Sequence, residues 1–282
     1  MNPTLLLLLD DDPAYCLQLQ EAAKAYRFEI HYRHNLEDGL EALVASRRYK
    51  AVILDGRCLL RPDQTAPARS NFVHHALLRI DNIEDEYNRI IPFCINTENP
   101  SDFTEDLEGI ATVFRKSLQH DAMFNWIKDA ITQLPETIIR KRYADIFEKT
   151  AKCFTDEEED LLVDILQNAN TSDPALLITS LALLRRLLER LIDITCVTKL
   201  NKQPQAFLSG TGSRTRLILD AMHNSVLPPE LFVTANQLYK TCSKYGNHKS
   251  LQNMALPQLN LNKYFSQRLV HTFLELADYL LD

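Results

Sequence analysis

The chain has 282 residues, of which 45% are hydrophobic and 24% charged, with a formal net charge of -7 and a pI near 5.7. This acidic balance argues against a large nucleic-acid footprint. No apolar run approaches the roughly 20 residues that a membrane helix needs. The apolar run at residues 5–9 is too short for a signal-peptide core, so we expect a cytoplasmic protein. The six cysteines are widely spaced, which disfavours a zinc or disulfide-redox site.

The first 134 residues alternate short apolar runs with amphipathic stretches. We expect strands at residues 5–9, 28–32, 51–54, 90–95 and 111–114, and helices at residues 14–26, 36–47, 72–86 and 120–134. Continuous apolar runs such as the first and third are typical of parallel strands that are buried on both faces. The alternation predicts the α/β class, with a five-stranded, parallel, doubly wound (flavodoxin-like) sheet.

The strand signals stop after Pro135, and the remainder predicts an all-α helical bundle. Thr155 and Glu158 form a capping-box pattern, and Asp173 precedes Pro174 as an N-cap would. The helix opened there carries a leucine stripe. We expect a domain at residues 1–134, a helical connector at 135–153 that continues the last helix of the first domain, and a helical output domain at 154–282.

Polar residues lie where four of the predicted strands end. These are Asp10, Asp11, Asp55, Thr97 and Lys116. The carboxyl ends of parallel strands form one crevice, so these side chains should converge. Several carboxylates in one crevice repel each other unless a hard cation such as Mg²⁺ neutralises them. A hydroxyl and an ammonium group can both bind phosphoryl oxygens.

This constellation resembles the receiver domains of bacterial response regulators. The motifs that carry the resemblance are Leu-Leu-Leu-Leu-Leu-Asp-Asp-Asp-Pro (5–13), Val-Ile-Leu-Asp (52–55), Pro-Phe-Cys-Ile-Asn-Thr (92–97) and Phe-Arg-Lys (114–116). The resemblance implies that Asp55 is the phosphoacceptor and that Asp11, Asp55 and the backbone carbonyl of Arg57 bind Mg²⁺. It implies that Asp10 acts through a metal-bound water, and that Thr97 and Lys116 detect the phosphoryl group.

The chain departs from the family at three places. The Met-Pro usual after the acceptor is replaced by a longer loop. Ser117 follows the lysine, where the family usually has a cis-proline, and Val113 stands at the aromatic switch position, with Phe114 next to it. These departures leave the phosphorylation chemistry intact and predict an unusual conformational readout. A pseudo-receiver that is never phosphorylated stays an alternative.

The helical half carries a second, shorter resemblance, to HEPN-like helical domains. It rests on Leu-Leu-Arg-Arg-Leu-Leu-Glu (183–189) and on the passage from Pro228 to Lys-Tyr-Gly-Asn-His (244–248). Active members of that family cut RNA with an arginine and a histidine, but here only lysines precede the histidine. Lys244, Asn247 and His248 are therefore the candidate output site of an alternative function.

The leading hypothesis is a two-component response regulator that a histidine kinase or a phosphotransfer protein phosphorylates on Asp55. Its output would be protein–protein contact or homodimerisation through the helical half, since no helix-turn-helix with a basic recognition helix occurs. DNA and membrane partners are disfavoured. One alternative is a phospho-regulated HEPN-like ribonuclease or toxin/defence effector, with RNA as its partner. Another is a pseudo-receiver scaffold.

Overall fold

A computed structural model describes residues 3–64, 71–87, 89–103, 107, 109–207, 213–223, 225–246 and 263–282. The chain divides into two compact units, Met1–Thr137 and Ile138–Asp282. The domain boundaries expected from the sequence stay a prediction. None of the helices in the described ranges has both the length and the apolar character that crossing a bilayer requires.

The first unit is built on a five-stranded parallel sheet with the strand order β2-β1-β3-β4-β5. The strands are β1 (Thr4–Leu9), β2 (Phe28–Arg33), β3 (Ala51–Asp55), β4 (Phe93–Thr97) and β5 (Thr112–Arg115). The helices are α1 (Pro13–Lys24), α2 (Leu36–Ala45), α3 (Asn71–Tyr87) and α4 (His120–Gln133). The predicted α/β, doubly wound fold class is confirmed by this order.

The sheet is covered on both faces because alternate side chains of each strand enter different cores. Leu7 of β1 packs with buried residues of α2 and α3. Leu6 and Leu8 pack on the opposite face with α1 and α4. All three leucines are fully buried. Burial on both faces explains why the first strand reads as an uninterrupted apolar run.

Strand β4 begins later than its sequence pattern predicted. Ile90 was expected in the strand, but its side chain is 61% exposed and β4 starts at Phe93. Pro92 lacks the N–H that a ladder position needs, although its carbonyl accepts the Val52 N–H at 2.9 Å. The proline therefore marks the entry to the strand.

The expected continuation of the last helix of the first domain into residues 135–153 is wrong. Helix α4 ends at Gln133, and the next residue, Leu134, has an extended ψ of 134°. Two short helices follow, α5 (Pro135–Arg142) and α6 (Ala144–Thr150). The residue before a proline is sterically disfavoured in the helical region, so Pro135 ends the preceding helix.

The second unit is helical, as predicted, and its long helix α8 (Pro174–Lys199) contacts four neighbours. These are α7 (Asp156–Asn168), α9 (Arg214–His223), α10 (Pro229–Gly246) and α11 (Lys263–Leu281). Both predicted N-terminal signals are present: Thr155 and Glu158 form the capping box of α7, and Asp173 caps α8. The leucine stripe of α8 is buried in the core, including Leu184 and Leu188.

A glycine allows α2 to pack closely against β1. A Cβ added at Gly39 would overlap the side chain of Leu9, which is fully buried. Overpacking costs about 1–3 kcal/mol, whereas replacing glycine by alanine in a helix gains roughly 0.5–1 kcal/mol. We expect Gly39→Ala to lower the free energy of unfolding of the first unit by about 1–2 kcal/mol.

Urea denaturation followed by circular dichroism measures this change. The control is Glu41→Ala, an exposed position on the same helix, which should leave stability unchanged or raise it slightly. A Gly39→Ala variant as stable as the wild type would contradict the close packing of α2 on β1.

Candidate functional site

The predicted polar residues converge at the carboxyl ends of the strands. Asp10 and Asp11 follow β1, and Asp55 and Thr97 are the last residues of β3 and β4. Carboxylate oxygens of the three aspartates lie within 4.8 Å of one another. Lys116 directly follows β5, and its N–H donates to the Thr97 carbonyl at 2.9 Å, which extends the β4–β5 ladder to the site.

Lys116 makes ion pairs with two of the three aspartates. Its Nζ lies 2.7 Å from Asp10 Oδ2 and 3.0 Å from Asp55 Oδ1. The Lys116 side chain is 10% exposed, and Asp10 is fully buried. Paired charges with so little solvent access attract each other more strongly than surface pairs do. One ammonium group nevertheless balances only one of three carboxylates, so the site retains an excess of negative charge.

Burial and like charge oppose ionisation of the acids. Burial, and then the neighbouring Asp55 carboxylate, raises the pKa of Asp10 to about 6, although Lys116 acts in the opposite direction. Burial also raises the pKa of Asp11. Burial lowers the pKa of Lys116, but the two carboxylates raise it more, so that its net pKa lies above the ordinary value. The lysine therefore stays charged.

The donor atoms fit a hard divalent cation. Every ligand that the cluster of Asp10, Asp11 and Asp55 offers is a carboxylate oxygen. Mg²⁺ prefers oxygen ligands and is commonly held by one or two carboxylates with waters and phosphate completing its shell. A cation would also offset the excess negative charge that Lys116 leaves.

Backbone groups fix the Asp55 side chain and the space beside it. The Gly56 N–H donates to Asp55 Oδ1 at 2.7 Å. A Cβ at Gly56 would lie 2.5 Å from Thr97 Oγ1 and 2.7 Å from the Phe103 ring. Glycine is thus the residue that leaves the Thr97 hydroxyl undisturbed next to Asp55.

Arg57 does not pair with the acidic cluster. Its Nη2 lies 2.6 Å from Asp102 Oδ2, with both side chains largely exposed. The charge that faces Asp10 and Asp55 comes from Lys116 instead. The metal-binding role of the Arg57 carbonyl stays a prediction.

Three further residues in the neighbourhood of Lys116 were not identified from the sequence. They are Tyr15, Asn96 and His120, which are joined to one another and to Ser117 by hydrogen bonds. The one local signal was an asparagine inside an otherwise apolar strand, at the position before Thr97. Buried polar side chains require partners, which makes such a residue conspicuous.

The structure describes only part of the candidate output site in the helical unit. Lys244 lies in the last turn of α10, whereas Asn247 and His248 lie outside the described residues. Arg185 of α8 pairs with Glu189 at 2.9 Å, and its guanidinium lies 5.7 Å from the centre of the Tyr239 ring. The ribonuclease alternative and the HEPN-like resemblance stay predictions.

Comparison with known proteins finds similarity among solved structures. The receiver domain of the Erythrobacter litoralis response regulator PhyR is 17% identical over 48% of this chain and 94% of its own, with a TM-score of 0.36. A Clostridium thermocellum response regulator receiver domain is 14% identical over 46% of this chain and 95% of its own, with a TM-score of 0.35. No family model and no curated protein matches the chain.

The residue after Lys116 has a backbone conformation that proline cannot adopt. Ser117 has a φ of 61° and its N–H donates to His120 Nε2 at 3.2 Å. Proline fixes φ near -65° and has no N–H. We therefore expect Ser117→Pro, which restores the residue usual in receivers, to lower the free energy of unfolding by more than about 1 kcal/mol.

Urea denaturation of the full chain measures this difference. The control is Ser117→Gly, which should retain stability because glycine adopts positive φ without strain. A Ser117→Pro variant with an unchanged midpoint would show that this turn readily adopts the proline-compatible conformation.

Proposed function

We propose that this chain is a two-component response regulator whose first unit accepts a phosphoryl group on Asp55 from a histidine kinase or a phosphotransfer protein. The observation that supports this function best is the position of Lys116 Nζ, 2.7 Å from Asp10 Oδ2 and 3.0 Å from Asp55 Oδ1, beside three clustered carboxylates. An ammonium group fixed next to a carboxylate at a strand end suits phosphoryl transfer, because negative charge develops on the oxygens of the transferring group.

The two oxygens of Asp55 have different roles in this proposal. Oδ1 is the oxygen that the Gly56 N–H and Lys116 hold. We therefore assign nucleophilic attack on phosphorus to Oδ2. The new P–O bond forms as the P–N bond of the phosphohistidine donor breaks, and the electron pair of that bond returns to the donor imidazole. The product is an acyl phosphate on Asp55.

Mg²⁺ is the proposed cofactor, and Asp10, Asp11 and Asp55 would hold it together with the Arg57 carbonyl. When bound, it would neutralise phosphoryl oxygens during transfer. Lys116 and the Thr97 hydroxyl would bind the remaining phosphoryl oxygens. The small size of Gly56 avoids a clash with the Thr97 hydroxyl next to the acceptor.

The proposed output is protein–protein contact or homodimerisation through the helical unit. Phosphorylation would shift the population between two states of the first unit, and only one of them would favour that contact. The helical unit has a continuous apolar core around α8, which suits a module that folds and binds as one body.

We expect wild-type protein incubated with acetyl phosphate and Mg²⁺ to gain one phosphoryl group, and Asp55→Asn to gain none because its amide is not nucleophilic. Intact-protein mass spectrometry measures the adduct, and light scattering follows the oligomeric state in the same samples. EDTA should abolish the adduct in the wild type.

The matched control is Asp129→Asn, an exposed aspartate on α4, which should be phosphorylated like the wild type. An adduct that persists in Asp55→Asn would place the acceptor elsewhere. A folded wild type without any adduct would favour the pseudo-receiver alternative.

A further inference from the structure

A chain of polar contacts connects the neighbourhood of Lys116 to the start of α4. Asn96 Nδ2 donates to the Tyr15 hydroxyl at 2.5 Å. The same hydroxyl lies 2.9 Å from His120 Nε2, which also accepts the Ser117 N–H at 3.2 Å. The contacts join α1, β4 and the first residue of α4 directly beside the acidic cluster.

The directions of these hydrogen bonds follow from the donors. Asn96 supplies an N–H to the Tyr15 oxygen, so the Tyr15 O–H is available to donate to His120. Ser117 also donates to Nε2, so the two donors share the one lone pair of that nitrogen, and the imidazole proton lies on Nδ1. Burial lowers the pKa of His120 and raises that of Tyr15, which agrees with a neutral ring and a protonated hydroxyl.

Tyr15 also contacts the lysine of the site through its ring. Lys116 Nζ lies 4.6 Å from the centre of the Tyr15 ring, within the range of a cation–π interaction. Tyr15 is 7% exposed, so water competes little for the ammonium group on that side. The ring and the carboxylates of Asp10 and Asp55 thus hold the same Nζ.

Two features of this network lower the stability of the fold. Asn96 is 1% exposed, and its Oδ1 has no hydrogen-bond partner among the described residues. An unsatisfied buried polar atom costs free energy, and an apolar residue in β4 would avoid that cost. Ser117 adds a second cost, because a residue other than glycine rarely adopts positive φ. Costs that cluster beside a reactive group point to a functional constraint.

We propose that Tyr15 is a positioning residue that holds Lys116 over Asp55 with its ring and couples the lysine to the N-terminus of α4 with its hydroxyl. The inference rests on the proposed function of Asp55. The resemblance implies an aromatic switch at the position of Val113, but the neighbouring Phe114 packs against Trp126 in the core, at 6.2 Å between ring centres. In this proposal Tyr15 takes over the role of that switch.

The coupling follows from the contacts. A phosphoryl group on Asp55 presents new oxygens to Lys116, and the ammonium group shifts relative to the Tyr15 ring. The Tyr15 hydroxyl moves with its ring, which changes its hydrogen bond to His120 and the environment of the Ser117 N–H. The response therefore reaches α4 through its first residue.

Two substitutions separate the ring from the hydroxyl. Tyr15→Leu removes the ring, and we expect the maximal rate of phosphorylation by acetyl phosphate to fall about threefold to tenfold with the half-saturating concentration unchanged. Tyr15→Phe keeps the ring, so its rate should stay within about twofold of wild type. Tyr26→Phe is the matched control, because it removes a hydroxyl that bonds to Asp121, the next residue of α4, without touching Lys116.

The hydroxyl is tested by the amide NMR signals of the full chain with beryllium fluoride and Mg²⁺, a stable phosphoryl mimic. In the wild type and in Tyr26→Phe, the signals of Gly56, Ser117 and His120 should all shift. In Tyr15→Phe the Gly56 signal should shift normally, since its N–H contacts Asp55, while the shifts at Ser117 and His120 should fall at least threefold.

The outcomes separate the two proposals. If the Gly56 signal of the wild type does not shift with beryllium fluoride, and acetyl phosphate gives no phosphoryl adduct, the proposed function of Asp55 is overturned. A normal Gly56 shift with undiminished shifts at Ser117 and His120 in Tyr15→Phe overturns the coupling alone. If Tyr15→Leu does not fold by circular dichroism, Tyr15→Met tests the ring in its place, and a rate within about twofold of wild type overturns the positioning role. His120→Ala tests the coupling independently: it should lose the Ser117 shift with normal phosphorylation, and an unchanged Ser117 shift contradicts the coupling.

Discussion

The ion pairs of Lys116 with Asp10 and Asp55 are the interaction on which the first unit's site depends. Carboxylates at the ends of adjacent strands repel one another, and removing them from water raises that cost. The lysine offsets part of it and holds one oxygen of Asp55 in place. Because it balances only one of the carboxylates, the site keeps the negative charge that a divalent cation would neutralise. Asp10 and Asp55 would therefore serve both the ion pairs and a bound cation.

The parallel sheet produces this arrangement through its topology. Central β1 and β3 carry the acids, while β4 and β5 bring Thr97 and Lys116 to the same edge. Crossover helices bury both faces of the sheet, so β1 and β3 are apolar up to Leu9 and Leu54. The first polar side chains after each strand must then meet at the carboxyl edge. Close packing, such as that of Gly39 on Leu9, holds the strands and helices in the register that the site needs.

The polar contacts of Tyr15, Asn96 and His120 extend the site into the packing of α4. Apolar contacts have no preferred direction, so a small movement of one partner changes their energy little. A hydrogen bond is directional, so movement of one partner weakens or strengthens it. A chain of such bonds next to a charged group can therefore convert a change of charge into a change of contact at a helix end. The positive φ of Ser117 places a donor where this chain ends.

The sequence alone determined those features that depend on neighbouring residues in the chain. Apolar runs and their spacing predicted the doubly wound sheet, the capping residues predicted where α7 and α8 begin, and the strand-end position of Asp55 predicted the acidic cluster. Two predictions from the local sequence were wrong next to a proline: the continuation of α4 past Leu134, and the start of β4.

Only the tertiary structure decided which groups pair. It directed Arg57 to Asp102 and Lys116 to two aspartates at once. It also brought Tyr15 to Asn96 and His120, which are 81 and 105 positions away along the chain. The physical reason is that secondary structure follows from neighbours in sequence. Hydrogen bonds and ion pairs between elements instead require donor–acceptor distances that are correct to within a few tenths of an ångström. Those distances are fixed only when both cores of the sheet have packed.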